Sequence, residues 1–262
     1  MEKNSLITYF TKDANWVQPF LVGSILIYLN FALNSLETND VAVNLFAVAV
    51  SIFIGCVTQG FFALNTNSLI NCKNGEIKLA SFNNIGKLFV TGLKYICGAF
   101  VYGAGIGVTV ALFTLISLLM GQFGAQFSIV PVIILFAIGI IFIIYLSWML
   151  VYMSFAYSRF LSFRSMFEFS NFGKYRVGKY IACILIFILL LAFAVLFFGS
   201  IMKDAKTFKY FILILVAPAT MLYSLILSKI QAESIQDAIA KENSKVVRAA
   251  GSIPNIKFKN GK

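Results

Sequence analysis

The chain has 262 residues, 60% hydrophobic and 12% charged, with a formal net charge of +11. A soluble domain carries about 25% charged residues, so a water-soluble globule is excluded and apolar spans of ~20 residues become the unit to count. The surplus Lys and Arg fall in the gaps between apolar runs and at the C-terminus, which argues against nucleic acid and for the cytoplasmic side of a membrane protein.

Residues 1–16 mix charge with Leu6, Tyr9 and Phe10 at helical spacing, the pattern of a short helix on a membrane surface. The apolar run that follows is too long for a cleaved signal peptide. The first span covers residues 17–36, with Trp16 at the interface and Pro19 in its first turn, where proline does least harm. After a polar turn the second span takes residues 41–64, inside an uncharged run that continues to Cys72. That run exceeds a bilayer's need and is expected to tilt or to emerge from it.

Residues 82–96 read Phe-Asn-Asn-Ile-Gly-Lys-Leu-Phe-Val-Thr-Gly-Leu-Lys-Tyr-Ile, and residues 169–181 read Phe-Ser-Asn-Phe-Gly-Lys-Tyr-Arg-Val-Gly-Lys-Tyr-Ile. Each copy runs into an uncharged segment, giving spans at 95–120 and 180–202, with the intervening and final spans at 129–157 and 210–228. Phe82, Ile85 and Phe89, and likewise Phe160, Phe163 and Phe167, lie at i, i+3, i+7, one face of a helix. Pro218 falls in mid-span and should kink the sixth helix. Residues 229–242 are expected to prolong that helix into water.

Charge sets the orientation. The N-terminal segment, residues 73–94, residues 158–179 and the C-terminal segment hold two, four, five and seven Lys/Arg, 18 of the 21 in all. The positive-inside rule then places both termini in the cytoplasm. The fold expected is an all-α integral membrane protein, six transmembrane helices forming three parallel helical-hairpin repeats. Each repeat is preceded by a cytoplasmic amphipathic segment. Residues 1–242 form one domain, and 243–262 a basic, disordered tail.

Chemistry is sparse. The chain has no His, the commonest acid–base group and metal ligand near neutral pH. Cys56, Cys72, Cys97 and Cys183 make no CxxC pair, so neither a disulfide framework nor a metal site is expected, and no cofactor is implied. No Asp, Glu, Lys or Arg falls inside the six spans, which disfavours a proton relay. Glu76 and Glu168 are the acids of the two central cytoplasmic loops, and no nucleophile–base pair accompanies them. An enzyme is not expected.

Three groups of residues stand out. Asn44, Ser51, Thr58 and Asn65 recur every seven residues in the second span, with Asn30 and Asn34 at matching places in the first and Gln59 beside them. They read either as a polar lining for a solute or headgroup, or as a helix–helix seam. Gly103 and Gly107 form GxxxG in the third span and read as a packing face. Lys87, Lys94, Lys174, Arg176 and Lys179 flank the two motif copies, suited to anionic phospholipid headgroups on the cytoplasmic side. The same segments could instead dock an unidentified protein partner.

Asp13-x-x-Trp16 and Gly23, then Leu88-Phe89-x-x-Gly92-Leu93, then Phe167-Glu168, resemble the domain-of-unknown-function family 4013 of bacterial and archaeal membrane proteins. Leu79 is followed by Ala80 where that family tends to carry proline. The resemblance implies a six-span inner-membrane protein and supplies no catalytic residue. The function expected is a non-enzymatic scaffold, assembly or lipid-organising factor. The alternatives are a passage or carrier for a neutral or lipid-like substrate, lined by Asn30, Asn34, Asn44 and Gln59, and a membrane subunit of a larger enzyme.

Overall fold

A computed structural model describes residues 16–36, 38–72, 79–122, 129–168, 173–201 and 205–251. Its order is α1 (Val17–Asn34), α2 (Val41–Asn71), α3 (Ile85–Gln122), α4 (Ile129–Phe160), a 3-10 turn (Arg164–Phe167), α5 (Gly178–Ile201) and α6 (Ala205–Gly251). Each of the six α-helices is long and apolar enough to cross a membrane, and no strand occurs among the described residues. The chain is a multi-pass membrane protein.

Local chemistry sets the helix ends. The Asp40 carboxylate accepts from the backbone N–H groups of Ala42 and Val43, at 2.9 and 3.4 Å, as an N-cap should. Asn84 does the same for α3, accepting from the Lys87 N–H at 3.0 Å. At the end of α4, Leu161 takes φ +50° and its N–H closes on the Tyr157 carbonyl at 2.6 Å, a left-handed C-cap usually left to glycine. The 31-residue α2 is about 46 Å long at 1.5 Å per residue, so it outruns a ~30 Å hydrocarbon core.

Packing is gathered at the basic end of the bundle. There α2 lies at the centre, touching α1, α3, α4 and α6. Ile27, Val57, Phe61, Leu88, Met221 and Leu225 form one core cluster, and Tyr102, Met149, Met153, Tyr157 and Met166 another. Residues 152–158 of α4 are all buried. Further along α3 and α4, Val108, Leu112, Leu115, Ile138, Ile141 and Ile144 are exposed, and α5 has no buried residue. Apolar surface on that scale in a single chain belongs against lipid tails rather than water.

The closest crossing is between α2 and α3. A Cβ placed on Gly60 would lie 1.8 Å from the Leu88 carbonyl oxygen, and one on Gly92 would lie 1.7 Å from that of Cys56. The two backbones touch, and each helix contributes the glycine that lets the other in. The GxxxG face expected to pack does not: Gly103 and Gly107 have nothing within 4 Å, and it is Gly105 that faces Leu146, at 3.5 Å. The spacing was right for a seam, but α4 lies on the other side of α3.

The two motif copies also differ. In the first copy α3 starts at Ile85, so its second half is already part of the spanning helix rather than a separate surface helix. Phe82 precedes the helix and stacks on Phe61, centroids 4.4 Å apart at 8°, in the core rather than the bilayer. Residues 169–172 of the second copy lie outside the described residues. Gly173 there has φ +82°, a conformation glycine adopts without steric cost, and α5 begins only at Gly178. The Arg176 N–H donates to Ser234 Oγ at 2.9 Å, and Ser234 Oγ donates to the Arg176 carbonyl at 3.1 Å. These bonds replace the helical ones. Of the amphipathic segments expected before the third and fifth spans, residues 73–78 and 169–172 lie outside the described residues, residues 79–84 are not helical, and 164–167 form the 3-10 turn. Residues 1–15 lie outside the described residues.

Pro218 sits inside α6 without ending it. The helix runs 47 residues, about 70 Å; residues 229–242, expected to run on into water, instead pack on the bundle, burying Gln231, Ala232, Ser234, Ile235 and Ala238. Residues 243–251, expected in the tail, are helical.

Candidate functional site

Five helices meet around one polar cavity of about 230 Å³. Gln59, Phe62 and Ala63 come from α2, Tyr95 from α3, Ser154 and Ser158 from α4, Tyr180 from α5, and Ser224, Leu227, Ser228 and Gln231 from α6. Its lining holds no charged side chain. Gln59 is exposed and marks the side on which the cavity opens. It lies 18 residues into α2 from Val41, about 27 Å along the axis. The cavity therefore lies toward the far part of a ~30 Å span counted from Val41, on the side of the basic loops.

Ser154 is the hub. Gln231 Nε2 donates to Ser154 Oγ at 3.0 Å and to Ser158 Oγ at 3.2 Å. Tyr95 and Tyr180 line the same cavity as Ser154. These two tyrosines hold the same place in the two motif copies, following Lys94 and Lys179. Divergent as the copies are, their shared Lys-Tyr-Ile ends are both helical, and they deliver a pair of phenols to one cavity. Lys94 and Lys179 are exposed and lie outside the lining.

Below the cavity, toward the basic end, side-chain amides cap the helix ends that would otherwise leave carbonyls unpaired. Asn67 Nδ2 donates to the carbonyls of Ser158 and Arg159, both at 2.9 Å. Gln236 Nε2 donates to those of Leu69 and Ile70, at 3.0 and 3.3 Å. Glu242, on the later part of α6, pairs with Arg159 at 2.9 Å and with Lys174 at 3.5 Å. The Arg159 hydrogen bond, helped by both positive charges and opposed by burial, holds the Glu242 carboxyl below its ordinary range.

The polar stripe is distributed among helix contacts. Ser51 Oγ donates to Asn30 Oδ1 and, at 3.1 Å, to Asn34 Oδ1, while Asn34 Nδ2 donates to Asn30 Oδ1 at 3.1 Å. This trio is a seam between α1 and α2. Asn44 Nδ2 holds the Thr38 carbonyl at 2.8 Å, Thr58 Oγ1 folds back on Ile54 at 2.9 Å, and buried Asn65 accepts from the Ala80 N–H at 3.3 Å. Of the stripe and its neighbours, only Gln59 lines the cavity. Lys87 and Arg176 are exposed, as is Lys174 despite its ion pair. The five basic candidates thus lie at the basic end, and none of them lines the cavity.

The cavity's serines and Gln231 are the part that sequence reasoning missed. Ser154 and Ser158 at i, i+4, and Ser224, Ser228 and Gln231 at i, i+4, i+7, give polar faces at one depth on α4 and α6. That coincidence was the available signal. Among the described residues, no three His, Cys, Asp or Glu side chains gather as a metal site needs.

An all-helical, six-helix membrane bundle with an uncharged polar cavity among five of its helices is the class that fold and site define. The model of the family described as "protein of unknown function (DUF4013)" matches residues 43–203, and the chain belongs to that family. Comparison with curated proteins and with solved structures gave no match.

Proposed function

We propose that this is a non-enzymatic, lipid-organising protein of the plasma (bacterial inner) membrane, built of three parallel helical hairpins with both termini in the cytoplasm. The observation that carries the reading is the cavity: five helices leave an uncharged polar space on the side of the basic loops, within a bundle whose outer surface is apolar. The lining offers hydroxyls and amides, with no carboxylate or imidazole to move a proton, which favours holding over converting. The 18 Lys/Arg on the same side as the cavity suit the anionic cytoplasmic leaflet, at about 1 kcal/mol for each residue near the surface.

The reading depends on topology, which can be measured directly. A reporter active only in the periplasm, fused after Asn74, is expected to be silent. The thiol of an Asn39→Cys variant is expected to react with an impermeant reagent from outside. An active fusion, or an Asn39→Cys thiol labelled only from the cytoplasm, would place the cavity in the wrong leaflet.

A further inference from the structure

The cavity's chemistry narrows what it can hold. Serine and tyrosine hydroxyls and glutamine amides each both donate and accept hydrogen bonds. A phosphate only accepts and an ammonium only donates, and either would lose its hydration here without meeting an opposite charge. Hydroxyl groups, which donate and accept in turn, match the lining. At about 230 Å³ the space is about one and a half times the ~150 Å³ cavity that takes a benzene ring, room for a three- to six-carbon polyol. Tyr95, Tyr180 and Phe62 add ring faces against which C–H groups can lie.

Lys94 and Lys179 complete the match. Each precedes a cavity tyrosine in its motif copy, is exposed, and lies outside the cavity lining. We propose that the cavity binds the uncharged, hydroxyl-rich part of a lipid headgroup, a glycerol or a sugar, while the lipid's phosphate stays outside against Lys94 and Lys179. The inference rests on the lipid-organising reading and adds to it the chemical class of the lipid. It also gives the doubled Lys-Tyr a purpose: one residue of each pair serves the charge and the other serves the hydroxyls.

The test uses the full chain in phosphatidylcholine nanodiscs, doped with equal minor fractions of phosphatidylglycerol and phosphatidic acid, with native mass spectrometry reading the lipid retained. Both dopants are anionic and only the first carries a polyol. Phosphatidylglycerol is expected to be retained about tenfold over phosphatidic acid, a gap of about 1.4 kcal/mol. Tyr95→Phe/Tyr180→Phe, which keeps the rings, should erase that preference. Lys94→Gln/Lys179→Gln should weaken both lipids together and leave the ratio. Equal retention of the two dopants by the unaltered chain would overturn the polyol assignment while leaving lipid binding in place. Retention of neither would take down the lipid-organising reading itself. Free glycerophosphoglycerol, lacking acyl chains, is expected not to displace the lipid; displacement would overturn a lipid as the source of the polyol.

Discussion

Valine at Gly60 or Gly92 is expected to prevent stable assembly of the bundle, whereas valine at Gly103 or Gly107 is expected to leave it intact. At the first two sites a Cβ would stand under 2 Å from a backbone carbonyl oxygen, where ordinary contact between non-bonded atoms is ~3.5 Å. The obstacle is main chain within a helix and cannot swing aside as a side-chain tip does. The helices would have to part, and the seam is the contact on which α2 holds α3 and, through it, the floor of the cavity. The cost is about 3 kcal/mol or more, partly offset by the glycine's poor helix propensity of ~1 kcal/mol. Gly103 and Gly107 face open space and gain only that propensity. The check is thermal stability and monodisperse yield of the four variants in detergent. Equal behaviour of the two pairs would mean that the α2–α3 crossing is misplaced.

Ending the chain after Ser228 is expected to be nearly as damaging, while ending it after Ser244 is expected to be harmless. The shorter chain loses Ile235, fully buried against Phe155, Tyr175 and Val177, and with it roughly 2 kcal/mol of apolar burial. It also loses Gln231 from the cavity hub, Gln236 from the end of α2, Ser234 from the Arg176 backbone and Glu242 from Arg159. Arg159 is mostly buried, and a buried charge stripped of its partner is costly. Every one of these contacts survives in a chain ending at Ser244. The two truncations should therefore differ sharply in melting temperature. A Ser228-terminated protein as stable as the full chain would show that the part of α6 beyond Ser228 is an appendage rather than a strut.

How much of this was legible beforehand varies with the distance over which each feature is encoded. Helix number and placement follow from runs of apolar residues, and such runs are local. The Asp40 cap, the interfacial Trp16 and the continuation of α6 beyond Ser228 are local too. The Gly60–Gly92 crossing is not, because each glycine is unremarkable in its own helix and the pair exists only once two helices are docked. Gly103 and Gly107 show the converse, a good local pattern on a face that meets no other helix of the chain. Asn30, Asn34 and Ser51 could be read as polar positions at matching depths, but not whether they would bond one another or line a space; docking made them a seam. The motif copies were visible as text. Their divergence turns on Gly173 adopting positive φ and on Ser234, some sixty residues away, taking over backbone bonds. Tyr95 and Tyr180 marked span starts in the sequence, and only the fold brings them both to the lining of one cavity.

The cavity as a lipid site is the claim on which the function rests, and the most direct measurement leaves the choice of ligand to the membrane. The protein would be extracted in native lipid without detergent exchange, alongside a Ser154→Val/Gln231→Leu variant, and the lipids that remain after extensive washing identified by mass spectrometry. The account predicts one tightly held lipid class with a hydroxyl-bearing headgroup on the unaltered protein and its loss from the variant at equal folded yield. A bound population that mirrors the bulk membrane, and is the same in both proteins, would contradict it.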